Sequence, residues 1–132
     1  MDMLELLRLF SEASNSVNQK PNQYKEILKL DQMLNDSEIP HELYSGRMGG
    51  FQITYFGHAG KPQDEEGVIR GSGVGSVCSI IENDFSYGHE NDLLEISGLM
   101  TDEEYEKTQN TVLGNLTADD VFERIRNHWL NN

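Results

Sequence analysis

The spacing of apolar residues changes twice along this 132-residue chain, and the change limits the folds that it can adopt. Residues 2–17 and 22–35 carry apolar side chains three and four positions apart, as on one face of a helix. From residue 51 apolar and polar residues alternate in short runs, as in half-buried strands. Helical spacing returns after residue 117. Two N-terminal helices, a group of strands and a C-terminal helix together predict an α+β fold.

The strands of the sheet are predicted from short runs that alternate or are rich in β-branched residues. The three strongest runs are 51–57, 76–82 and 93–99. Residues 68–70 are a candidate for a further short strand. The segments between these runs are short, which favours hairpins over helical crossovers. We therefore expect a mainly antiparallel sheet of three or four strands. Residues 35–50 contain Pro40 and three glycines and are predicted to be an irregular connector.

Two helix starts are predicted near the C-terminal end of the chain. Thr101 and Glu104 have the spacing of a capping box, which predicts a short helix to about Thr108. Thr117 and Asp120 give a weaker form of the same signal. The helix that follows is expected to pack on the sheet through a stripe formed by Val121, Phe122, Ile125 and Trp129.

The length suits one domain with its own core. We therefore expect residues 1–132 to form a single domain, with a helical part in 1–35 and with the sheet and C-terminal helix in 51–130. No apolar run approaches the roughly 20 residues of a membrane helix, and the first ten residues lack a basic leader. The single cysteine cannot form an internal disulfide, so a reducing cytoplasmic setting is expected.

The net charge of −13 is concentrated in one part of the chain. Residues 71–106 hold nine acidic residues and no lysine or arginine, whereas residues 46–70 and 107–132 are balanced. Direct binding to nucleic acid is disfavoured, because phosphate contacts require a basic face. The charge favours a basic protein as partner, while a solvated acidic surface is the simpler interpretation.

The glycine-rich run Gly71–Ser76 raises the question of a phosphate-binding loop. It has neither the lysine of a P-loop nor the glycine spacing of a dinucleotide-binding fingerprint. Arg70, Ser72 and Gly73 are the residues that could hold an anion, so a small-molecule or nucleotide-binding protein is the first alternative function. A bulge or a hairpin tip is the simpler interpretation of these glycines.

Cys78 and the acidic run after it are the remaining candidates for chemistry. A cysteine nucleophile needs a thiolate beside a positive neighbour, whereas Cys78 stands among Val77, Ile80 and Ile81. These neighbours favour a buried thiol, so no catalytic residue is assigned and a cysteine-dependent enzyme is the second alternative. Residues 84–95 only partly fit a calcium loop, so no metal and no cofactor are predicted.

Four segments carry a resemblance to known proteins. They are IPHELYSG at 39–46, SYG at 86–88, LLEISG at 93–98 and LGNLTADDVFERIRNHW at 113–129. In this order they resemble accessory proteins encoded by phages and prophages of Gram-positive bacteria. The resemblance covers residues 39–46 and 76–130, and it implies expression in the cytoplasm of an infected or lysogenic cell. None of its motifs is catalytic, so it transfers no functional residue.

The leading hypothesis is a small acidic phage-type protein that inhibits a basic host protein, such as a nucleic-acid-binding defence factor. Duplex DNA carries about one charge per 1.7 Å of its axis, and an acidic protein of anti-CRISPR type can occupy the basic channel that binds it. Two aromatic residues would add contact area at the centre of such an interface. The predicted partner-binding residues are Glu82, Asp84, Phe85, Tyr87, Glu90, Asp92, Glu95, Asp102, Glu103, Glu104 and Glu106.

Overall fold

A computed structural model describes Met3 and residues 24–45, 48–60 and 75–132. In these residues five strands form one antiparallel sheet, and each strand pairs with the next along the chain. The strands are β1 (Glu42–Ser45), β2 (Phe51–Tyr55), β3 (Cys78–Glu82), β4 (Leu94–Ser97) and β5 (Val112–Leu116). The helices are α1 (Lys25–Asp36), α2 (Asp102–Thr108) and α3 (Ala118–Asn131). The predicted α+β class and the antiparallel arrangement are confirmed.

The sheet has five strands rather than the predicted three or four. β1 lies in the segment predicted to be irregular, where Leu43 pairs with Ile53 of β2. β5 lies between the two predicted C-terminal helices. Its Leu113 pairs with Ile96, and the register then shifts towards Leu116. Of the predicted N-terminal helices, the second corresponds to α1. The first, at 2–17, lies outside the described residues apart from Met3, as does the candidate strand at 68–70.

The core lies between one face of the sheet and the helices α1 and α3. Ile53, Ile80 and Ile96 lie opposite one another on the three central strands, and all three are fully buried. The buried apolar side chains that the helices add are Ile27, Leu30 and Leu34 from α1 and Val121 and Ile125 from α3. Phe122 and Trp129 pack at the edge of this cluster and are partly buried. The C-terminal helix therefore joins the core as predicted.

Both predicted capping boxes are formed. Thr101 Oγ1 accepts from the Glu104 amide at 3.2 Å, and Glu104 Oε1 accepts from the Thr101 amide at 2.8 Å. Thr117 and Asp120 make the same reciprocal pair at 3.2 and 3.3 Å. Each capping box supplies hydrogen-bond acceptors to backbone amides at the start of a helix. These amides have no partner within the helix itself. None of the helices in the described part of the chain has the length and apolar character needed to cross a membrane.

Candidate binding surface and the acidic residues around it

The connection between β3 and β4, residues 83–93, carries two exposed aromatic side chains and is here called the tip. Phe85 is 74% exposed and Tyr87 is 56% exposed. Asn83 Oδ1 accepts from the Phe85 amide at 2.8 Å, and Ser86 Oγ accepts from the Asn83 amide at 3.0 Å. These bonds fix the turn locally, so both aromatic rings extend into solvent from an ordered backbone.

The tip is also attached to the strands beside it. Glu95 Oε1 accepts from the Tyr87 amide at 2.9 Å, and the Tyr87 carbonyl accepts from the Asn115 amide at 3.4 Å. On the other side the Asp84 amide donates to the carbonyl of Met48 at 3.2 Å. The Met48 side chain is 57% exposed and therefore adds apolar surface beside the tip. The sequence did not identify Met48, because only the folded hairpins bring it to this place.

The acidic residues predicted to bind a partner divide into two groups in the structure. Five take part in hydrogen bonds or ion pairs within the fold: Glu82, Asp84, Asp92, Glu95 and Glu104. Four others are exposed: Glu90, whose carboxylate also lies 3.8 Å from the ring of the adjacent His89, and Asp102, Glu103 and Glu106. The acidic surface that a partner can meet is therefore smaller than the charge of the sequence suggests.

Two acidic residues cap the N-terminus of α1, although both lie far from it in the sequence. Asp92 Oδ1 accepts from the amides of Lys25 and Glu26 at 2.9 and 3.3 Å. Glu82 Oε1 accepts from the amide of Ile27 at 3.2 Å. The residue before α1 supplies no side-chain cap of its own. The two carboxyl groups therefore satisfy three of the four amides that the first turn of a helix leaves open.

Glu82 is only 1% exposed, so a partner that binds the folded surface does not reach it. Its place among the predicted partner-binding residues is therefore corrected to a place in the interior. Burial, followed by the neighbouring Asp92, raises the pKa of Glu82 to about 8.

Asp84 differs from Glu82 because it is exposed, and it accepts a hydrogen bond from the hydroxyl of Tyr24. Burial and this bond raise the pKa of Tyr24.

Glu104 forms a two-pronged ion pair with Arg124 of α3. The guanidinium nitrogens lie 2.7 and 2.5 Å from the two carboxylate oxygens, and Nη1 also donates to the Leu99 carbonyl at 3.0 Å. The hydrogen bonds from Arg124 are the main cause that lowers the pKa of Glu104 to about 2. This pair connects α2 to α3 and neutralises the charge of Glu104. On α2, the carboxylates left to meet a partner are the exposed Asp102, Glu103 and Glu106.

Cys78 lies in the core, where burial outweighs the positive charge of Arg124 in setting the pKa of its thiol. It is 1% exposed, its Sγ lies 3.7 Å from the carbonyl oxygen of Gly98, and burial raises the pKa of its thiol to about 12. His41 uses both ring nitrogens elsewhere, on the Ile39 carbonyl at 2.8 Å and on Asp31 at 2.6 Å. No hydrogen bond between the Cys78 thiol and an imidazole is found in the described residues.

We expect Cys78 to resist alkylation in the folded protein. A pKa near 12 lowers the thiolate fraction by about three orders of magnitude relative to an ordinary thiol, and burial further limits access. Intact-mass spectrometry after iodoacetamide treatment, with and without denaturant, measures the ratio of the two rates. Equal rates in the folded and unfolded protein would contradict the buried position and would favour the cysteine-dependent alternative.

An open cleft of about 560 Å³ runs along α3 beside residues 99–101. Its lining includes Arg124 and His128, but Arg124 is held by Glu104 and His128 Nδ1 lies 2.7 Å from the Tyr55 hydroxyl. The described histidine, cysteine and acidic side chains contain no group of three or more that could hold a metal ion. Arg70, Ser72 and Gly73 lie outside the described residues, so the nucleotide-binding alternative stays a prediction.

Comparisons with known proteins add no relative to this geometry. No family model, no curated protein and no solved structure matches the chain. The resemblance to phage and prophage accessory proteins therefore rests on the sequence motifs alone. The candidate surface that remains for functional argument is the tip, with the exposed carboxylates of α2 and the side chain of Met48.

Proposed function

We propose that this chain is a small binding protein whose tip contacts a basic protein of the host cell. The observation that carries the proposal is the exposure of Phe85 and Tyr87, at 74% and 56%, on an ordered and acidic turn. Large aromatic side chains held in solvent are typical of the residues that supply most of the affinity in protein interfaces. The phage-type motifs support a biological setting in which this chain inhibits a nucleic-acid-binding defence factor of the host.

The chemistry around the two rings favours arginine on the partner. A guanidinium group can stack on an aromatic face while it donates hydrogen bonds to a carboxylate beside it. Glu90 is exposed in the same turn as Phe85 and Tyr87 and supplies such a carboxylate. The partner therefore offers arginine side chains to the tip, as a nucleic-acid-binding channel would.

The exposed carboxylates of α2 have a second role in the proposal. Asp102, Glu103 and Glu106 are exposed on this helix, and the nearby Lys107 is the only basic residue in it. Charges at the edge of an interface mainly raise the association rate and its dependence on salt. We therefore assign most of the affinity to the tip and the electrostatic attraction to α2. This division of roles refines the prediction that the partner-binding residues from Glu82 to Glu106 act together.

The double substitution Phe85→Ala and Tyr87→Ala should weaken binding about 30-fold or more, because each ring is expected to contribute about 1–2 kcal/mol or more. The partner is first captured from host lysate, then purified and titrated against each variant by calorimetry. Leu130→Ala is the matched control, since Leu130 is 65% exposed but lies on α3. Affinity that survives loss of both rings would contradict the proposal.

A charge-reversal series separates the tip from α2. Glu90→Lys should increase the dissociation rate, whereas Glu103→Lys with Glu106→Lys should mainly slow association and reduce its salt dependence. Both variants should remain folded, since the changed side chains are exposed. Stopped-flow measurements between about 50 and 200 mM salt resolve the two effects. A captured partner with no basic surface, or one that binds all variants equally, would leave the acidity without a binding role.

A further inference from the structure

Only one of the two oxygens of the buried Glu82 carboxyl group has a hydrogen-bond partner in the described residues. Its side chain is almost completely enclosed, and Oε1 accepts from the amide of Ile27 at 3.2 Å. The second oxygen, Oε2, is also buried and has no hydrogen-bond partner among the described residues. An ionised carboxylate in this position would leave a buried, charged oxygen without a donor among the described residues, which is strongly unfavourable.

Glu82 meets the N-terminus of α1, where the positive charge is that of the helix dipole. The first turn of α1 presents backbone amides, and a helix N-terminus acts as roughly half of one positive charge. Asp92, from the connection between the 3-10 turn His89–Asn91 and β4, already accepts two of these amides. Asp84 follows Glu82 by two residues and is bonded to the hydroxyl of Tyr24. The N-terminus of α1 is therefore already capped by the carboxylate of Asp92. A second negative charge, on Glu82, would be repelled by that carboxylate.

We propose that Glu82 and Asp92 share one proton in the folded protein, and that this proton fastens the N-terminus of α1 to the tip. With Glu82 protonated, its hydroxyl donates to Asp92, which gives the enclosed oxygen a partner. Asp92 remains the carboxylate that caps the helix. Loss of the proton places two negative charges at one helix end, so the contact between α1 and the tip weakens at alkaline pH.

The elevated pKa of Glu82 is consistent with this arrangement and gives the sign of the effect. The pKa rises from 4.5 to about 8, first because of burial and then because of the neighbouring Asp92. A raised pKa means that the folded chain keeps a proton that the unfolded chain releases. The stabilisation is therefore complete below about pH 4.5 and is lost as the pH rises through about 8.

Urea unfolding at several values between about pH 5 and pH 8 tests the proposal in wild type, Glu82→Gln and Glu103→Gln. Wild type should lose up to about tenfold in its folding equilibrium constant per pH unit relative to Glu82→Gln, whose amide donates to Asp92 at every pH. Groups that titrate elsewhere are common to all variants and cancel in this comparison. Glu103→Gln, an exposed control, should follow wild type. Parallel profiles for wild type and Glu82→Gln would overturn the proposal.

A second measurement on the wild-type protein does not depend on the folding of a variant. The carboxyl carbon of Glu82 is followed by carbon-13 NMR across the same pH range. Near pH 6 it should keep the chemical shift of a protonated acid, which differs from the shift of an ionised glutamate in a model peptide at the same pH. An ionised Glu82 near pH 6 would overturn the shared proton even if the unfolding profiles differed for another reason.

Discussion

Replacing Ile80 with alanine should lower the free energy of unfolding by about 3–4 kcal/mol. Ile80 is fully buried on the middle strand, opposite Ile53 on β2 and Ile96 on β4. The smaller side chain removes apolar contacts with both neighbouring strands and leaves a cavity under the helices. Chemical denaturation followed by circular dichroism measures the loss. We expect the variant to unfold cooperatively at a lower denaturant concentration.

The adjacent substitution Ile81→Ala is the matched control for this result. Ile81 is the same residue type on the same strand, but it points to the other face of the sheet. It is partly exposed and pairs with Gln52 and Glu95. We expect a cost of about 1 kcal/mol, because less apolar surface is lost. Equal losses at the two positions would contradict the assignment of the buried face.

Replacing Gly50 with alanine should cost about 3 kcal/mol or more. Gly50 has a φ of +68°, which strains any residue that carries a Cβ atom. A Cβ built there would also lie 1.9 Å from the backbone oxygen of Glu82, so β2 and β3 would have to separate locally. The decrease in melting temperature by calorimetry checks this prediction, and chemical denaturation gives the free energy.

Gly60→Ala separates the two causes of the Gly50 effect. Gly60 has a similar φ of +76°, but no described atom lies within 4 Å of the position that its Cβ would take. The control should therefore show only the cost of its own backbone conformation, φ +76° with ψ −178°, which residues with a Cβ atom rarely adopt, about 1–3 kcal/mol. If the two variants were equally destabilised, the close approach of Gly50 to β3 would be contradicted.

Local signals in the sequence account for the elements that were predicted well. The two threonine caps start α2 and α3, and the three central strands lie within two residues of their predicted bounds. β1 was missed because its four residues lie between Pro40 and a glycine-rich stretch. β5 was missed because Gly114 and Asn115 interrupt its alternation, and Asn115 has a φ of 62° where the register with β4 shifts. Pairing with β4 therefore stabilises β5 as a strand, although the strand propensity of its own residues is weak.

The candidate site was predictable in its aromatic residues but not in the roles of its acids. Phe85 and Tyr87 stand in a turn-rich stretch, and the structure exposes both. Charge counting treats all carboxylates alike, whereas Glu82 and Asp92 bond to amides 55 and 67 positions away. Such contacts depend on the completed sheet, so no local sequence pattern predicts them.

The capping of α1 by distant residues has a consequence for the order in which the chain folds. α1 is synthesised before every strand of the sheet, yet the acceptors for its first amides arrive 55 and 67 residues later. A twelve-residue helix is marginal alone in water, so α1 in the nascent chain lacks both its core contacts and its cap. The hairpin of β3 and β4 has to close before the helix start is complete. In a refolding experiment we therefore expect protection of the Lys25 and Ile27 amides to follow that of the β3–β4 ladder.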